Sequence, residues 1–213
     1  MKNRLSLIYK KLYSYFGPQA WWPAQTPFEV MVGAILTQNT NWSNVEKAIA
    51  NLKKQRLLSR DKLSSLPQKK LAQLIRPAGY FNIKAKRLKN FLRSLQANHR
   101  NIPLTKTSQL RNWLLSINGI GPETADSILL YALARPVFVV DSYTKRILSR
   151  HSLIDEPATY EDTQRLFMQN LKKNTRVFNE YHALLVRLAK DFCLKHKPRC
   201  PICPLYDGKT RQP

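Results

Sequence analysis

Acidic residues are scarce in this chain. Of its 213 residues only 13 are Asp or Glu, against 36 Lys or Arg, so the net charge is +23. Hydrophobic residues make up 43% of the sequence, which is enough to build a folded core and too many for a disordered chain. A folded body of this size with so large a positive charge sets up a strong positive field. Nucleic acid is the commonest partner of such a field, and an anionic membrane surface is the alternative.

Long apolar segments are also missing. No run of about 18 apolar residues occurs, so the sequence predicts no transmembrane helix and favours nucleic acid over a membrane as the partner. Residues 1–19 interleave apolar side chains with Lys10 and Lys11, and they lack the uninterrupted apolar stretch and small-residue cleavage site of a signal peptide. These features predict a cytoplasmic protein.

No segment has the alternating pattern of a β-sheet, and the VFVV run at 137–140 is too short and isolated to build one. Apolar residues recur instead at helical spacing, and Phe28–Leu36 is apolar on almost every face, as expected for a central buried helix. Ser43 and Glu46 have capping-box spacing, which predicts a helix start. The sequence therefore predicts an all-α fold. Other helices are predicted at Leu71–Ile75, Ala85–Leu95, Gln109–Ile117, Tyr143–Arg150, Tyr160–Leu171 and Phe178–Phe192.

Two glycines lie between helical stripes in the segment SINGIGPETA. Gly119 and Gly121 flank Ile120, and glycine lets a backbone approach another molecule closely. Pro122 suits the first turn of the next helix, whose free N–H groups would then face a phosphate oxygen. An ordinary tight turn is the alternative. In a chain of this charge, the full pattern predicts a helix–hairpin–helix that binds the DNA backbone through Gly119, Ile120, Gly121 and Thr124 without reading its sequence.

This hairpin and other segments of the chain resemble one known family. GIGPETADSILL followed by VVDSYTKRIL resembles the helix–hairpin–helix DNA glycosylases of the endonuclease III type. LTQNT at 36–40, RPAGYFNIKAKRLKNF at 76–91 and a terminal C-x6-C-x2-C spacing resemble further motifs of that family. The resemblance covers nearly the whole chain. It implies two helical domains with a cleft between them: a helical-barrel domain at 27–132 with the hairpin, and a second domain formed by 1–26 and 133–213.

The resemblance also assigns roles to several side chains. Asp141 matches the family's catalytic aspartate, whose charge stabilises an oxocarbenium-like transition state; helix capping is the alternative role. Gln38 resembles the residue that fills the space left by a flipped nucleotide, and Lys145 is expected to face the phosphates. The lysine behind the Schiff-base lyase activity of endonuclease III is replaced by Glu123, which cannot form an imine. We therefore expect a monofunctional glycosylase, which removes a base and leaves the strand intact.

Tryptophans around the buried helix indicate the class of base. Trp21 and Trp22 precede that helix and Trp42 follows TQNT, which together with Glu123 resembles the endonuclease III-like 3-methyladenine DNA glycosylases. An alkylated purine carries positive charge, which aromatic faces attract, so the three tryptophans are predicted to wall the base pocket. Three alternatives stay open: a mismatch uracil or thymine glycosylase, an endonuclease III-type glycosylase and lyase, and a helix–hairpin–helix DNA-binding protein without enzymatic activity.

All three cysteines of the chain lie near its C-terminus, which favours a metal site over a disulfide framework. Cys193, Cys200 and Cys203 resemble the first three ligands of the family's [4Fe–4S] loop, and Lys209 stands at the position of the fourth. A cluster with an incomplete ligand set is one expectation. Zinc bound by the three thiolates and His196, and a loop that binds no metal, are the alternatives.

The expected partner is double-stranded DNA that contains a damaged base, and we expect a monomer because such an enzyme needs one open basic face. His99, His151 and His182 have no spacing typical of metal binding or nucleophilic catalysis. We expect all three to be surface or core residues.

Overall fold

The computed structural model describes residues 1–98, 102–155 and 157–208. These residues form helices joined by turns and contain no β-strand, which confirms the predicted all-α fold. No helix within these ranges combines the length and apolar character needed to cross a membrane. The α-helices are α1 (Lys2–Phe16), α2 (Pro27–Leu36), α3 (Trp42–Lys54), α4 (Arg60–Ser65), α5 (Gln68–Leu74), α6 (Phe81–Asn98), α7 (Thr107–Ser116), α8 (Pro122–Ser127), α9 (Ser142–Arg150), α10 (Tyr160–Asn170) and α11 (Thr175–Asp191). Turns of 3₁₀ helix lie at Arg76–Ala78 and Cys200–Ile202, and a π-helical turn, Ile128–Ala132, continues α8.

The chain divides into two compact units. Residues 24–135 form the hairpin unit, and residues 1–23 with 136–213 form the terminal unit. The hairpin unit is therefore one continuous segment, which is inserted between the two segments of the terminal unit. The predicted domain boundaries, at 27 and 132, lie a few residues inside those of the hairpin unit.

Helix α2 forms the core of the hairpin unit. Thr26 accepts a hydrogen bond from the Glu29 amide and Pro27 occupies the first turn, so the helix begins where the buried apolar run begins. Residues 30–36 are buried, and the helix packs against the π-helical turn and α6. Glu29 is also buried and pairs with Lys53 Nζ at 2.7 Å. The run Phe28–Leu36 is thus a central helix, as predicted.

Helix α3 begins earlier than the capping-box spacing predicts. Asn41 is its N-cap, with a side chain that accepts from the Asn44 amide, and Ser43 lies inside the first turn. Glu46 accepts instead from Trp42 Nε1 at 2.8 Å. The predicted capping box was wrong because Asn41 offers an equally good cap two positions upstream.

Lys84 is a buried cation on α6. Its side chain is 1% exposed, and Nζ donates to the carbonyls of Leu36 at 2.8 Å and Ala78 at 2.7 Å. Burial, with a smaller effect of Arg87, lowers the pKa of Lys84 from 10.5 to about 8. A neutral amine still carries two N–H donors, so both hydrogen bonds survive loss of the proton.

Stability is therefore expected to depend on Lys84 and on pH. The unfolded chain holds more protons than the folded one between about pH 8 and 10.5, so the free energy of unfolding rises with pH in that window. Lys84→Met removes the donor from two carbonyls and should be less stable throughout. Its deficit relative to wild type should widen by roughly 2 kcal/mol between about pH 7 and pH 9.5. Urea unfolding at both pH values measures the deficit, and a constant or narrowing one would contradict the lowered pKa.

Helix α11 forms the core of the terminal unit, where it packs against α1 and α9. Phe138 stacks on Phe167 with ring centroids 3.7 Å apart, and it meets the rings of Phe178 and Tyr181 edge to face. The VFVV segment that contains Phe138 is buried and leads into α9 without joining a strand. These contacts fix the residue that follows VFVV, which is Asp141.

Candidate functional site

The predicted hairpin is present between α7 and α8. Arg111 on α7 pairs with Asp126 on α8 at 2.8 Å, and the carboxylate is fully buried, so the two helices are tied together. Gly119 has a φ of +97°, and an added Cβ would overlap the Arg87 side chain, so only glycine fits there. Gly121 faces open space instead. One glycine thus shapes the turn, and the other leaves room in front of it.

The other predicted DNA contacts of the hairpin point inward. Ile120 and Thr124 are 5% and 7% exposed, so little of either residue is available to contact DNA. Glu123, which the resemblance predicts to replace a lysine, is exposed in the first turn of α8. Pro122 opens this helix, as predicted.

Gln38 is hydrogen-bonded to the hairpin. Its Nε2 donates to the Gly119 carbonyl and to Thr124 Oγ1, both at 2.9 Å, and Arg87 Nη1 donates to its Oε1 at 2.6 Å. In this structure the hydrogen bonds of the Gln38 side-chain amide therefore stabilise the hairpin turn. The role predicted for Gln38, filling the space left by a flipped base, would require these three bonds to break. Arg87 was not predicted, because its contact with Gln38 joins residues far apart in sequence.

Asp141 caps helix α9. Its Oδ1 accepts from the Thr144 amide at 2.7 Å, and its Oδ2 lies 3.5 Å from His182 Nε2. Burial raises the pKa of the Asp141 carboxyl, but the neighbouring His182 and hydrogen bonding from Thr144 together outweigh burial, so this pKa lies below its usual value. The carboxylate is therefore ionised at neutral pH while its side chain is only 13% exposed. Capping uses one oxygen and leaves the charge available for chemistry.

His182 is the neighbour that the sequence did not predict. It lies on α11, is 6% exposed, and packs against the edge of the Phe138 ring. Of the other two histidines that were expected to be surface or core residues, His151 is half-buried and His99 lies outside the described residues. No local spacing signals His182, because only the packing of α11 against α9 brings it to Asp141.

Lys145 does not extend freely from α9. Its Nζ donates to the Ala158 carbonyl at 2.8 Å within the terminal unit. The predicted contact with phosphate would have to compete with this bond.

The three tryptophans belong to different units. Trp21 and Trp22 lie in the terminal unit and are half-buried, whereas Trp42 lies in the hairpin unit. Trp22 has a φ of +72°, a strained backbone for a bulky residue. Trp21 Nε1 is buried and has no hydrogen-bond partner among the residues that the structure describes. Lys190 lies on α11, as His182 does, and its Nζ is 5.8 Å from the centroid of the Trp21 ring.

The cysteines line one small pocket in the terminal unit. Cys193, Cys200 and Cys203 share it with four other side chains, and none of the three is in a disulfide. Burial raises the pKa of the Cys203 thiol, and the other two sulfurs raise it further. Arg150 Nη1 donates to Cys193 Sγ at 3.3 Å. The four other lining residues are Arg150, His151, Phe192 and Tyr206.

The structure can be compared with the metal sites that the sequence predicts. Within 1–98, 102–155 and 157–208, no three His, Cys, Asp or Glu side chains are grouped so as to hold one metal ion. The zinc alternative, with Cys193, His196, Cys200 and Cys203, is therefore not assembled. Cys193, Cys200 and Cys203, predicted as the first three cluster ligands, line a common pocket, and the predicted fourth position, Lys209, lies outside the described residues.

Comparisons with known sequences and structures agree on one protein family. The family model for the HhH-GPD superfamily base excision DNA repair protein matches residues 32–173. The proposed DNA repair glycosylase MJ1434 of Methanocaldococcus jannaschii is 53% identical over 205 residues, which cover 94% of this chain and 93% of the relative. The structure of the H. pylori 3-methyladenine DNA glycosylase MagIII with 1,N6-ethenoadenine has a TM-score of 0.77 and 29% identity, covering 87% of this chain and 97% of that one.

A non-covalent endonuclease III–DNA complex shares the fold, with a TM-score of 0.84, 19% identity and coverage of 99% of this chain and 95% of that one. At 19% identity this likeness shows a shared fold. Family membership supports DNA N-glycosylase activity in base excision repair. The chain belongs to the HhH-GPD superfamily of base excision DNA repair proteins.

Proposed function

We propose that this protein is a monofunctional DNA glycosylase that hydrolyses the N-glycosidic bond of a flipped alkylated purine such as 3-methyladenine. The observation that carries the proposal is the Asp141 carboxylate, which is buried, ionised and held by Thr144 within a family of DNA glycosylases. The name of the MagIII relative adds support for the substrate, since that protein is a 3-methyladenine DNA glycosylase and is 29% identical to this chain.

Asp141 would act on the charge that develops in the sugar. As the bond between C1′ and the base nitrogen breaks, its electron pair leaves with the base and positive charge grows on the sugar ring. A carboxylate in a water-poor setting stabilises that charge strongly, because it is fixed before the reaction begins. Water then attacks C1′ and loses a proton to the carboxylate or to solvent. An alkylated purine is already cationic, so it leaves as a neutral base and needs no strong general acid.

The absence of a lyase step follows from the residues near the hairpin and α9. Glu123 stands where endonuclease III has its nucleophilic lysine, and a carboxylate cannot form an imine with the sugar aldehyde. Lys145 is the nearest substitute in sequence to Asp141, but its Nζ donates to the Ala158 carbonyl. We therefore propose that the product is an abasic site in an intact strand.

Contact with DNA would come from the exposed backbone of the hairpin. Gly121 faces open space, which allows a phosphate to approach the main chain there. Gln38 and Arg87 hold the turn from the inner side. The net charge of +23 supplies the sequence-independent attraction.

Aromatic walls would recognise the positive charge of the base. Trp21 already attracts the Lys190 ammonium, which indicates that its ring face is accessible to a cation within the terminal unit. The strained backbone of Trp22 fits a residue that is held in place for function. The proposal that Trp42 is a third wall of the base pocket rests on the sequence resemblance alone.

The cysteine cavity would have a structural role. We propose that Cys193, Cys200 and Cys203 hold an iron–sulfur cluster as thiolates, with Arg150 donating to one sulfur. A bound cluster would anchor the C-terminal loop. Iron and acid-labile sulfide analysis of the purified protein tests this assignment, and their absence would leave the loop held by packing.

The substrate assignment is tested by Trp21→Ala and Trp22→Ala. Each should slow release of 3-methyladenine by about 10-fold, because a desolvated cation–π contact contributes on the order of 1–2 kcal/mol. The matched control is Tyr13→Ala, an exposed aromatic on α1, which should release the base at the wild-type rate. Duplexes with mismatched uracil or thymine are assayed in parallel. Release from these, with none from alkylated DNA, would replace the proposed substrate by a mismatched pyrimidine.

A further inference from the structure

The Asp141 carboxylate is contacted on both of its oxygens. Thr144 donates to Oδ1 from the backbone of α9, and His182 approaches Oδ2 from α11 with Nε2 at 3.5 Å. The imidazole cannot move away easily, since it is buried and packs against the edge of Phe138. Two separate helices therefore define where this carboxylate points.

We infer that His182 is a positioning residue for Asp141, which holds the carboxylate in its working orientation and weakens its action when the imidazole is protonated. The inference rests on the proposed glycosylase function, since it concerns how Asp141 performs that function.

Orientation needs a second contact because one hydrogen bond leaves the carboxylate free to turn. Rotation about the bond to an Asp carboxyl group is soft, and the Thr144 amide restrains only Oδ1. His182 limits the position of Oδ2. Small errors of position are costly in catalysis, where a displacement of about 1 Å can slow a reaction by about 100-fold.

Charge gives His182 its second effect. A neutral imidazole leaves the full negative charge of Asp141 available to the developing sugar cation. An imidazolium at the same place forms an ion pair with the carboxylate and cancels much of its field at C1′. Base release should therefore be slower when the His182 imidazole is protonated than when it is neutral.

Other titratable groups near His182 on α11 and on the helices packed against it have partners of their own. Each makes a hydrogen bond elsewhere in the terminal unit: Lys145 to the Ala158 carbonyl, Arg146 to the Cys193 carbonyl, Glu180 from the Gln19 amide, and Tyr181 to the Leu5 carbonyl. Tyr9 on α1 contacts the Tyr181 ring, and its pKa is raised by burial, so it is neutral throughout the acidic range. Asp141 is the carboxylate within ion-pair distance of His182.

Two variants separate orientation from protonation. Gln in place of His182 keeps a polar N–H group near the position of Nε2 and stays neutral, so His182→Gln should retain most activity at neutral pH. Its activity should persist to lower pH than that of wild type. His182→Ala should lose about 10- to 100-fold in the rate of base release at neutral pH, with unchanged affinity for DNA. Leu184→Ala controls for lost stability, because it removes a buried side chain on another side of the same helix.

A second measurement needs no catalysis. The thermal midpoint of unfolding is compared for wild type, His182→Gln, Asp141→Asn and the double variant at about pH 5.5 and about pH 8. At the lower pH, His182→Gln should lower the midpoint more in wild type than in the Asp141→Asn background. At the higher pH, His182→Gln should lower the thermal midpoint by the same amount in the two backgrounds.

The outcomes distinguish this inference from the function on which it rests. If wild type releases no base, the glycosylase assignment fails, and the thermal comparison still tests the contact. The inference is wrong if three results occur together. Both His182 variants would lose the same factor in the rate of base release, their rates would fall at acidic pH as the wild-type rate does, and the thermal midpoints would show no coupling between His182 and Asp141. His182 would then be an ordinary core residue.

Discussion

Asp141→Asn is expected to slow base release by about 10²- to 10³-fold and to leave DNA binding intact. The substitution removes a full negative charge from a buried position, where charge acts most strongly on the transition state. It preserves the fold, because Asn is as good an N-cap as Asp and can accept the same hydrogen bond from Thr144. Single-turnover release from alkylated duplex and equilibrium binding to the same duplex measure the two effects separately.

Asp162→Asn is the matched control for this change. Asp162 also lies near the start of a helix of the terminal unit, but its side chain is 54% exposed and pairs with nearby residues of α10 and its cap. The control should release base at the wild-type rate. If Asp141→Asn does the same, the carboxylate has no catalytic role, and its function is limited to capping α9.

The two hairpin glycines are expected to respond differently to alanine. Gly119→Ala forces an L residue to a φ of +97° and drives its Cβ into the Arg87 side chain, which also holds Gln38. Strain of this kind costs on the order of 1–3 kcal/mol, before any effect of displacing Arg87. We expect a lower thermal midpoint and at least about 10-fold weaker DNA binding, since 1.4 kcal/mol corresponds to a factor of 10.

Gly121→Ala should fold normally, because the added methyl group meets open space and the backbone is not left-handed. It should nevertheless weaken DNA binding by about 10-fold if the phosphate approaches there, since the methyl group occupies the gap. Thermal unfolding and binding to undamaged duplex test both variants. If the Gly121→Ala protein binds DNA as tightly as wild type does, the DNA backbone does not approach the main chain at Gly121.

Much of the fold was predictable because its signals are local. The buried run of α2, the stripes of α7 and the Pro122 start of α8 each depend on residues close in sequence, and all lie where the pattern placed them. The capping box at Ser43 failed for a local reason as well, since Asn41 was the better-placed competitor. Fold class therefore followed from the sequence, while an individual helix end did not.

The chemistry around the site was only partly predictable. Asp141 followed from its resemblance to a family position, but His182, Arg87 and Lys84 did not, because each contacts residues on another helix. The inward direction of Ile120 and Thr124 was hidden for the same reason: a motif identifies a turn, and the packing behind it decides which atoms face outward.

The most direct test is base release from methylated duplex DNA, with free bases separated and the strand examined for nicks. A monofunctional glycosylase that acts through Asp141 predicts free 3-methyladenine over an intact strand. Nicked strands would show that another residue supplies the nucleophile missing at Glu123. Tight DNA binding with no released base would contradict the enzyme assignment and leave a DNA-binding protein.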